Sequence, residues 1–440
     1  MPKTIGMVSL GCAKNRVDSE NMLGVFRKAG YQIVNRPDKA DLVVINTCGF
    51  IESAKEEAIS TILEYVGMKT DFGMPKQILV TGCLVQRYGA ELKEELPEVD
   101  GFMGVAEYDR LLETVAEMEE EKRPLHAEQK LHFTELPRVL TTPRWSAYVK
   151  ISDGCDNKCT YCAIPLIRGG YRSRSYEAIL NECRALAAGG VKEITLIAQD
   201  TSRYGNDFPG GKTMLSRLLR DVNDIEGIEW VRVLHCYPDT VDEELLDTIV
   251  ELPKVCNYLD LPLQHINADI LRRMNRRGSP EHIRKVLEMC RERNITTRTT
   301  FIVGFPGETE EQFEELLDFV KEARFARMGA FPYSPEDGTA AAEMPGQLDD
   351  ETKQARYDRI MTVQQPISLS IMRERLGKTC KVLVEGRDLR GRYTGRSMIE
   401  APEVDGVIRF TSDEPLTPGS FVDVQIMAAK AYDLIGEAVK

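Results

Sequence analysis

Cys155, Cys159 and Cys162 stand in the run ISDGCDNKCTYCAIP, a C-x3-C-x2-C spacing. Three thiolates this close in sequence hold three irons of a four-iron cubane and leave the fourth iron without a protein ligand. An open iron binds a substrate or cofactor, as the open position of a catalytic metal does. A site built only to carry electrons closes with a fourth Cys. Structural zinc is the plainer reading of clustered cysteines. It takes four ligands from Cys and His, and no His or further Cys lies near enough in sequence to complete it.

A second set reinforces the first. Cys12 lies in VSLGCAKN, Cys48 in VVINTCGF and Cys83 in ILVTGCLV. Each follows a short apolar run, Ile5–Leu10, Leu42–Ile45 and Ile78–Val80, that reads as a buried parallel strand. Helical patterns over Val17–Ala29 and Ser53–Tyr65 separate the runs, so the chain opens β-α-β-α-β, the start of a doubly wound α/β domain. Ligands of such domains gather at the carboxyl ends of the strands. All three cysteines fall at that edge and can converge there, again as three ligands. Buried core cysteine is the common alternative; three out of three at strand ends argues against it.

These residues must be positioned by a chain of 440 residues, enough for two to four domains. Composition is that of a soluble globular protein, 42% apolar and 29% charged. No stretch has the length of a membrane helix, and the start MPKTIGMVSLGC lacks the apolar core of a signal peptide. The 11 cysteines are odd in number and metal-like in spacing, which points to a reducing cytoplasm and not to a disulfide framework. Cys183, Cys236, Cys256, Cys290 and Cys380 read as plain buried or half-buried residues. A net charge of −13 disfavours broad electrostatic capture of a nucleic acid. Two local basic patches stand against it. Arg272, Arg273, Arg276 and Arg277 in LRRMNRRG read as a solvated helix end. Arg168, Arg172 and Arg174 in IRGGYRSR follow the C-x3-C-x2-C loop closely and are expected near it.

Three domains are expected, over residues 3–120, 141–372 and 373–440. The first two are separated by a charged connector, EEEKRPLHAEQKLHFTELPRVLTTPR, for which no structure is expected in its middle. In the second domain, strands at Ala147–Ser152, Glu193–Gln199, Glu229–Leu234, Tyr258–Leu263, Thr296–Val303 and Arg327–Tyr333 alternate with helices. The helices are Tyr176–Ala188, Met214–Asn223, Val241–Leu252, Pro280–Arg293 and Glu310–Glu322, and Asp349–Arg375 closes the domain. Six β/α units predict a partial (β/α)6, TIM-like barrel with reactive residues at the strand C-termini. The C-x3-C-x2-C loop follows its first strand, and Gln199 and Asp200 end its second on the same face. His265 in LQHIN sits at a later strand end, with structural and catalytic duty equally open. The third domain has short alternating runs broken by Gly, Pro and Asp, a small all-β barrel pattern. From Ile371 to Lys440 there are 11 Lys plus Arg and 11 Asp plus Glu, whereas an RNA-binding barrel should be basic.

The C-x3-C-x2-C loop resembles that of the radical S-adenosylmethionine superfamily. The chain as a whole resembles the methylthiotransferase family, through SLGCAKNRVDSE, INTCGFIESA, TGCL, ISDGCDNKCTYCAIPLIRG, IAQDTSRYG, YLDLPLQHIN and FIVGFPGETEEQF. That family joins an N-terminal three-Cys domain, a radical S-adenosylmethionine core and a C-terminal TRAM barrel. The neutral barrel and the QDTSRYG run resemble the branch that modifies an aspartate of ribosomal protein S-twelve more than the branch that modifies tRNA. By this resemblance Cys155, Cys159 and Cys162 carry the radical-generating [4Fe-4S] cluster, and Cys12, Cys48 and Cys83 an auxiliary one. The VGFPGET run, with Gly304, Gly307 and Glu308, resembles the loop that approaches the S-adenosylmethionine adenine and ribose; an ordinary strand-to-helix turn also needs glycine. Gln199 and Asp200 are placed to reach cofactor or substrate.

The implied reaction replaces a C–H bond by C–S–CH3 on the β-carbon of an aspartyl residue. One S-adenosylmethionine gives methyl to a sulfur at the auxiliary cluster. A second is cleaved reductively at the other cluster, and the adenosyl radical removes the β-hydrogen. A low-potential reductant such as flavodoxin or ferredoxin is implied, and no strong tRNA binding. Three alternatives remain: the same chemistry on a tRNA adenosine beside the anticodon, a two-cluster electron carrier, and a ribosome-assembly protein with structural clusters. The carrier fits poorly, because both sets have three cysteines and not four.

Overall fold

The computed structural model describes residues 3–105, 107–128 and 133–439. Strands β1 (Thr4–Ser9), β2 (Gln32–Ile33), β3 (Leu42–Thr47), β4 (Gln77–Gly82), β5 (Gly101–Met103) and β6 (Leu125–His126) form an all-parallel sheet in the order β2-β1-β3-β4-β5-β6. Helices α1 (Ala13–Lys28), α2 (Glu52–Phe72), α3 (Cys83–Glu95) and α4 (Leu111–Glu119) cover it. Alternation along the strands dictates two covered faces. Leu42, Val44 and Leu79 pack on one side with Met22 and Phe26 of α1 and Leu111 and Val115 of α4. Val43, Ile45, Ile78 and Val80 pack on the other with Ala58 and Ile62 of α2 and Leu84 and Val85 of α3. This is the doubly wound arrangement expected. Helix α1 starts at Ala13, ahead of the predicted Val17, because its first turns bury polar residues (Asn15, Asp18, Ser19, Glu20) that apolar periodicity does not count.

The connector departs from expectation. Leu125–His126 adds a sixth strand to the sheet, pairing with Phe102 and Met103. Further on, Arg138 and the Thr141 N–H donate to the Glu20 carboxylate of α1, at 2.8 and 2.6 Å. A two-residue strand carries no readable pattern, and the Glu20 contacts are long-range, so neither shows in the sequence. Residues 129–132, part of the same connector, lie outside the described residues.

The second domain contributes β7 (Ser146–Lys150), β8 (Ser152–Asp153), β9 (Arg172–Ser173), β10 (Glu193–Ile197), β11 (Trp230–Val233), β12 (Tyr258–Asp260), β13 (Thr296–Val303) and β14 (Arg327–Pro332). Strands β7, β10 and β11 form one parallel sheet and β12, β13 and β14 another, with a single parallel bridge from Val231 to Val255 between them. The six major strands therefore follow one another in chain order, as a partial (β/α)6 barrel requires. Helices α5 (Ile164–Arg168), α6 (Tyr176–Ala188), α7 (Leu215–Asn223), α8 (Glu243–Glu251), α9 (Ala268–Arg273), α10 (Pro280–Glu292), α11 (Glu310–Ala323) and α12 (Asp350–Arg373) lie among them. Helix α5 is not predicted, being too short for periodicity to register, and α9 is anticipated only as the helix end read in LRRMNRRG; both adjoin the cysteines described below.

Strands β15 (Thr379–Arg387), β16 (Tyr393–Arg396), β17 (Ile408–Thr411), β18 (Phe421–Ala429) and β19 (Leu434–Ala438) close into a barrel in the order β15-β16-β17-β19-β18. Its β16–β17 segment is plugged into the N-terminal ends of the central strands. Arg396 donates to Glu193 at 2.6 and 3.1 Å, Arg327 to Glu400 at 2.7 Å, and Tyr258 to Asp405 at 2.8 Å. Trp230 meets Phe421 edge-on, with ring centroids 4.8 Å apart. Burial alone would raise the Glu193 carboxyl, but Arg396 and Arg232 outweigh it and hold the group at about 2. A depressed carboxyl gives stability that is present above the unfolded value and lost as pH falls through the folded one. We therefore expect about 3 kcal/mol of stability to be lost between about pH 5 and pH 2. Urea unfolding followed by tryptophan fluorescence reads this directly, since Trp230 is one of the chain's 2 tryptophans. Glu193→Gln should weaken the docking at pH 7 and flatten the acid limb; an unchanged acid limb would count against the assignment.

Candidate active site

The order of the first sheet reverses between β1 and β3, and ligands of doubly wound domains bind at such a point. Cys12 follows β1 and caps α1, Cys48 follows β3, and Cys83 opens α3 after β4. Two glycines bring these loops together. A Cβ on Gly11 would stand 2.8 Å from Cys48 Cβ, and one on Gly49 would stand 2.8 Å from Leu84 Cα, next to Cys83. Burial pushes the Cys83 thiol up to about 12 and raises that of Cys48. A buried neutral thiol is a poor nucleophile, whereas a metal cation deprotonates its thiol ligands outright.

The second set lies at the mouth of the partial barrel, directly after β7 and β8. Cys155 and Cys159 are buried and Cys162 half-buried. Burial raises Cys155 and pushes Cys162 up to about 12. The backbone N–H of Asn157 faces the Cys155 sulfur and that of Ile164 the Cys162 sulfur, as Phe50 N–H does for Cys48. Amides aimed at sulfurs are a common means of tuning iron–sulfur sites. Among the described residues no three His, Cys, Asp or Glu side chains are gathered to hold one metal ion. All six cysteines are free thiols, and three thiolates are the ligand type that three irons of a cubane take.

One buried arginine joins the two sets. Arg168, the last residue of α5, donates to Asn15 Oδ1 at 2.8 Å and stands 3.8 Å from Cys83 Sγ. The next carbonyl, Gly169, accepts the N–H of Cys155 at 3.1 Å. Arg168 also pairs with Asp18 of α1 at 2.9 Å and with Asp153 at 3.2 Å. Lys150 pairs with the same two carboxylates at 2.7 and 3.1 Å, which closes a neutral quartet across the domain boundary. Burial would raise Asp153, but Lys150 and Arg168 hold it well below the usual carboxylate range.

The other predicted residues fall close by, in different roles. Asp200 is fully buried and accepts from Asn157 Nδ2 at 2.9 Å, so it braces the loop between Cys155 and Cys159. Burial raises its carboxyl. Gln199 donates to Asp153 at 3.1 Å, while its carbonyl oxygen, like Asn157 Oδ1 and Gln264 Oε1, is buried without a partner. These orphaned atoms at the strand ends suit a polar cofactor. Gly304, Gly307 and Glu308 are packed from inside. Glu308 accepts from the Gly304 N–H at 3.1 Å and from Arg356 at 2.7 Å, and a Cβ on Gly304 would meet Lys353 at 2.5 Å. His265 is fully buried, with Nδ1 accepting from the Asn267 N–H at 3.0 Å and Nε2 lying 3.6 Å from Glu308.

Arg276 corrects the reading of its patch as a solvated helix end. Arg272 is exposed, but Arg276 is 6% exposed, stacks over the Tyr237 ring at 3.7 Å and points Nη1 at Cys159 Sγ at 3.9 Å. Tyr237 OH lies 3.9 Å from the same sulfur. His235 and Gln264, near the C-terminal ends of β11 and β12, hold left-handed φ of 63° and 71°. Such strain at non-glycine residues collects at functional sites. No signal in the sequence marks these residues, because their partners are far along the chain.

Three family descriptions match: uncharacterized protein family UPF0004 over residues 4–104, the Radical SAM superfamily over 149–320 and the TRAM domain over 376–439. The solved radical S-adenosylmethionine methyltransferase TsrM of Kitasatospora setae shares the fold at TM-score 0.56 and 16% identity, over 76% of this chain and 74% of that one. A protein of Pelotomaculum thermopropionicum named ribosomal protein uS12 methylthiotransferase RimO is 49% identical, over 99% of each chain. One of the same name from Caldicellulosiruptor saccharolyticus is 48% identical, again over 99% of each. Likeness of this degree along the whole length, with both cysteine sets in place, means that the chain belongs to the RimO family of radical S-adenosylmethionine methylthiotransferases.

Proposed function

We propose that the chain methylthiolates the β-carbon of an aspartyl residue of ribosomal protein uS12. The reading includes two four-iron clusters, one on Cys12, Cys48 and Cys83 of a domain spanning 3–120, the other on Cys155, Cys159 and Cys162 of a domain spanning 141–372. Residues 373–440 form the TRAM domain. The observation that carries it is the pairing of two three-cysteine sets through Arg168 in a chain 49% identical to an enzyme named for this reaction.

When bound, the second cluster and S-adenosylmethionine supply the radical, and the first cluster supplies the methylthio group. The chain's own residues set the distance between them, the chief lever for coupling two reactive centres. The Arg168 quartet fixes α1 against the C-x3-C-x2-C loop. Asp200 braces that loop through Asn157, and Arg276 with Tyr237 covers Cys159. Gln199 and Asn157 offer buried acceptors to the cofactor, while Gly304, Gly307 and Glu308 shape the neighbouring turn. A flavodoxin or ferredoxin is the reductant in this reading, and the cytoplasm its place of work. Among the described residues no helix is long and apolar enough to cross a membrane. A basic ribosomal protein complements a chain of net charge −13, so its binding should weaken with salt and tRNA should bind poorly.

The test incubates anaerobically reconstituted enzyme, S-adenosylmethionine and a low-potential reductant with purified uS12 or with tRNA. Mass spectrometry should find methylthio on a uS12 aspartate. Methylthio on tRNA adenosine alone would move the chain to the tRNA-modifying reaction.

A further inference from the structure

Arg87 lies in α3, and its side chain is 4% exposed. It reaches out of its own domain. Nη1 donates to the Gly49 carbonyl at 2.8 Å and to the Glu336 carboxylate at 2.9 Å, and Nη2 donates to the Asp337 carbonyl at 2.8 Å. Gly49 directly follows Cys48, and Glu336 and Asp337 belong to the loop between β14 and α12. Helix α3 departs from helical geometry at the next residue, Tyr88, with φ −127° and ψ 24°, and Tyr88 OH donates to the Asp337 carboxylate at 2.8 Å. The Glu336 side chain is 2% exposed, and Lys55 of α2 brings a second cation to it at 3.5 Å. Further along the loop, the Ala341 N–H donates to the Thr160 carbonyl at 2.8 Å, and Thr160 lies between Cys159 and Cys162.

A line of contacts therefore runs from Cys48 to the Cys159–Cys162 stretch. It is separate from the Arg168 quartet, which joins α1 and Cys83 to the Cys155 side. The two struts engage opposite edges, because β7 is one outer strand of the barrel sheets and β14 the other. Two bodies joined by one strut can pivot about it, and a second strut at the far edge removes that freedom. We propose that Arg87 is a positioning residue for methylthio transfer: by clasping the β14–α12 loop it fixes the angle at which the first cysteine set faces the second. The proposal rests on the function proposed above. Arg87 acts through Gly49 and Glu336 and not on the reacting atoms. Its planar fork serves two carbonyls and a carboxylate at once, which a lysine cannot do. Transfer between two centres depends steeply on such geometry, since a misplacement of about 1 Å costs about 100-fold in rate.

The test has two arms, each applied to Arg87→Met and to Glu336→Gln. In the full chain without iron, hydrogen exchange followed by mass spectrometry should become about tenfold faster or more at Ala341 and around Gly49, as the loss of charge-assisted bonds at a buried clasp implies. In the reconstituted enzyme, iron content and 5′-deoxyadenosine formation should be kept, while 5′-deoxyadenosine formed per methylthio product on uS12 should rise about tenfold or more. Arg87→Lys keeps the ion pair without the fork and should recover part of both properties. Unchanged exchange, or faster exchange with an unchanged ratio, would overturn the assignment. So would a joint loss of iron and of both products at a fixed ratio, which marks a role in stability alone. Should Arg87→Met fail to fold, Glu336→Gln decides by the same readings. Failure of the unaltered enzyme to modify uS12 would instead strike the underlying function, and the exchange arm would then decide on the clasp alone.

Discussion

Alanine at Cys155, Cys159 and Cys162 together should abolish 5′-deoxyadenosine formation and lower reconstituted iron from about eight to about four per chain. Alanine at Cys12, Cys48 and Cys83 should also leave about four iron, keep cofactor cleavage, and stop methylthio transfer. The asymmetry follows from placement. The second set lies at the barrel mouth among orphaned acceptors and strained strand ends, where a cofactor fits. The first lies at the switch point of a separate sheet, where Asn46 Oδ1 and Thr81 Oγ1 are also orphaned but, among the described residues, no non-glycine carboxyl strand end holds a left-handed φ. The two triple variants, compared for iron, 5′-deoxyadenosine and product, separate the roles. An N-terminal triple variant that still makes product at a normal rate would reduce the first set to scaffolding.

Arg168→Met should be the most disruptive single change outside the cysteines. The quartet of Asp18, Asp153, Lys150 and Arg168 is neutral, and removing Arg168 leaves two buried carboxylates to one lysine. Breaking a buried pair in this way costs about 3–5 kcal/mol. The loss falls on the docking of α1 against the barrel, so the connector should become sensitive to protease before the chain unfolds globally. The contact with Cys83 Sγ goes with it, and iron in the first site should become labile. Arg168→Lys keeps the charge without the fork and should recover only part of both properties. If Arg168→Met matches the unaltered protein in protease resistance and iron retention, the quartet is not what holds the two sites together.

The six cysteines and the sheets beneath them were legible in the sequence because spacing and strand ends are local features. The strand runs at Leu42 and Ile78 and the C-x3-C-x2-C loop each need only about ten residues to be recognised. Arg168 was legible in part, from its place just after that loop. Arg276 was not: a basic helix end looks the same whether it meets water or Tyr237, and Tyr237 lies in another β/α unit. The glycines of the GFPGE turn were ambiguous for a different reason. A turn that packs on Lys353 and Arg356 and a turn that cradles a ligand ask for the same residue types.

The plug formed by the β16–β17 segment gives the barrel's third domain a second meaning. Arg396, Glu400 and Asp405 fasten it to the strand ends opposite the cysteines, and Ala401 packs with Tyr148, Trp230 and Tyr258. That segment closes the N-terminal end of the barrel, and it is supplied by what the sequence presents as an appendage. A C-terminal truncation would then do more than remove a separate barrel. It would uncover Glu193, Arg232, Trp230 and Tyr258 at the N-terminal end of the barrel and let water compete for their hydrogen bonds. Exchanging this domain between relatives should succeed only when residues 396–405 travel together with their partners Glu193, Arg232 and Arg327.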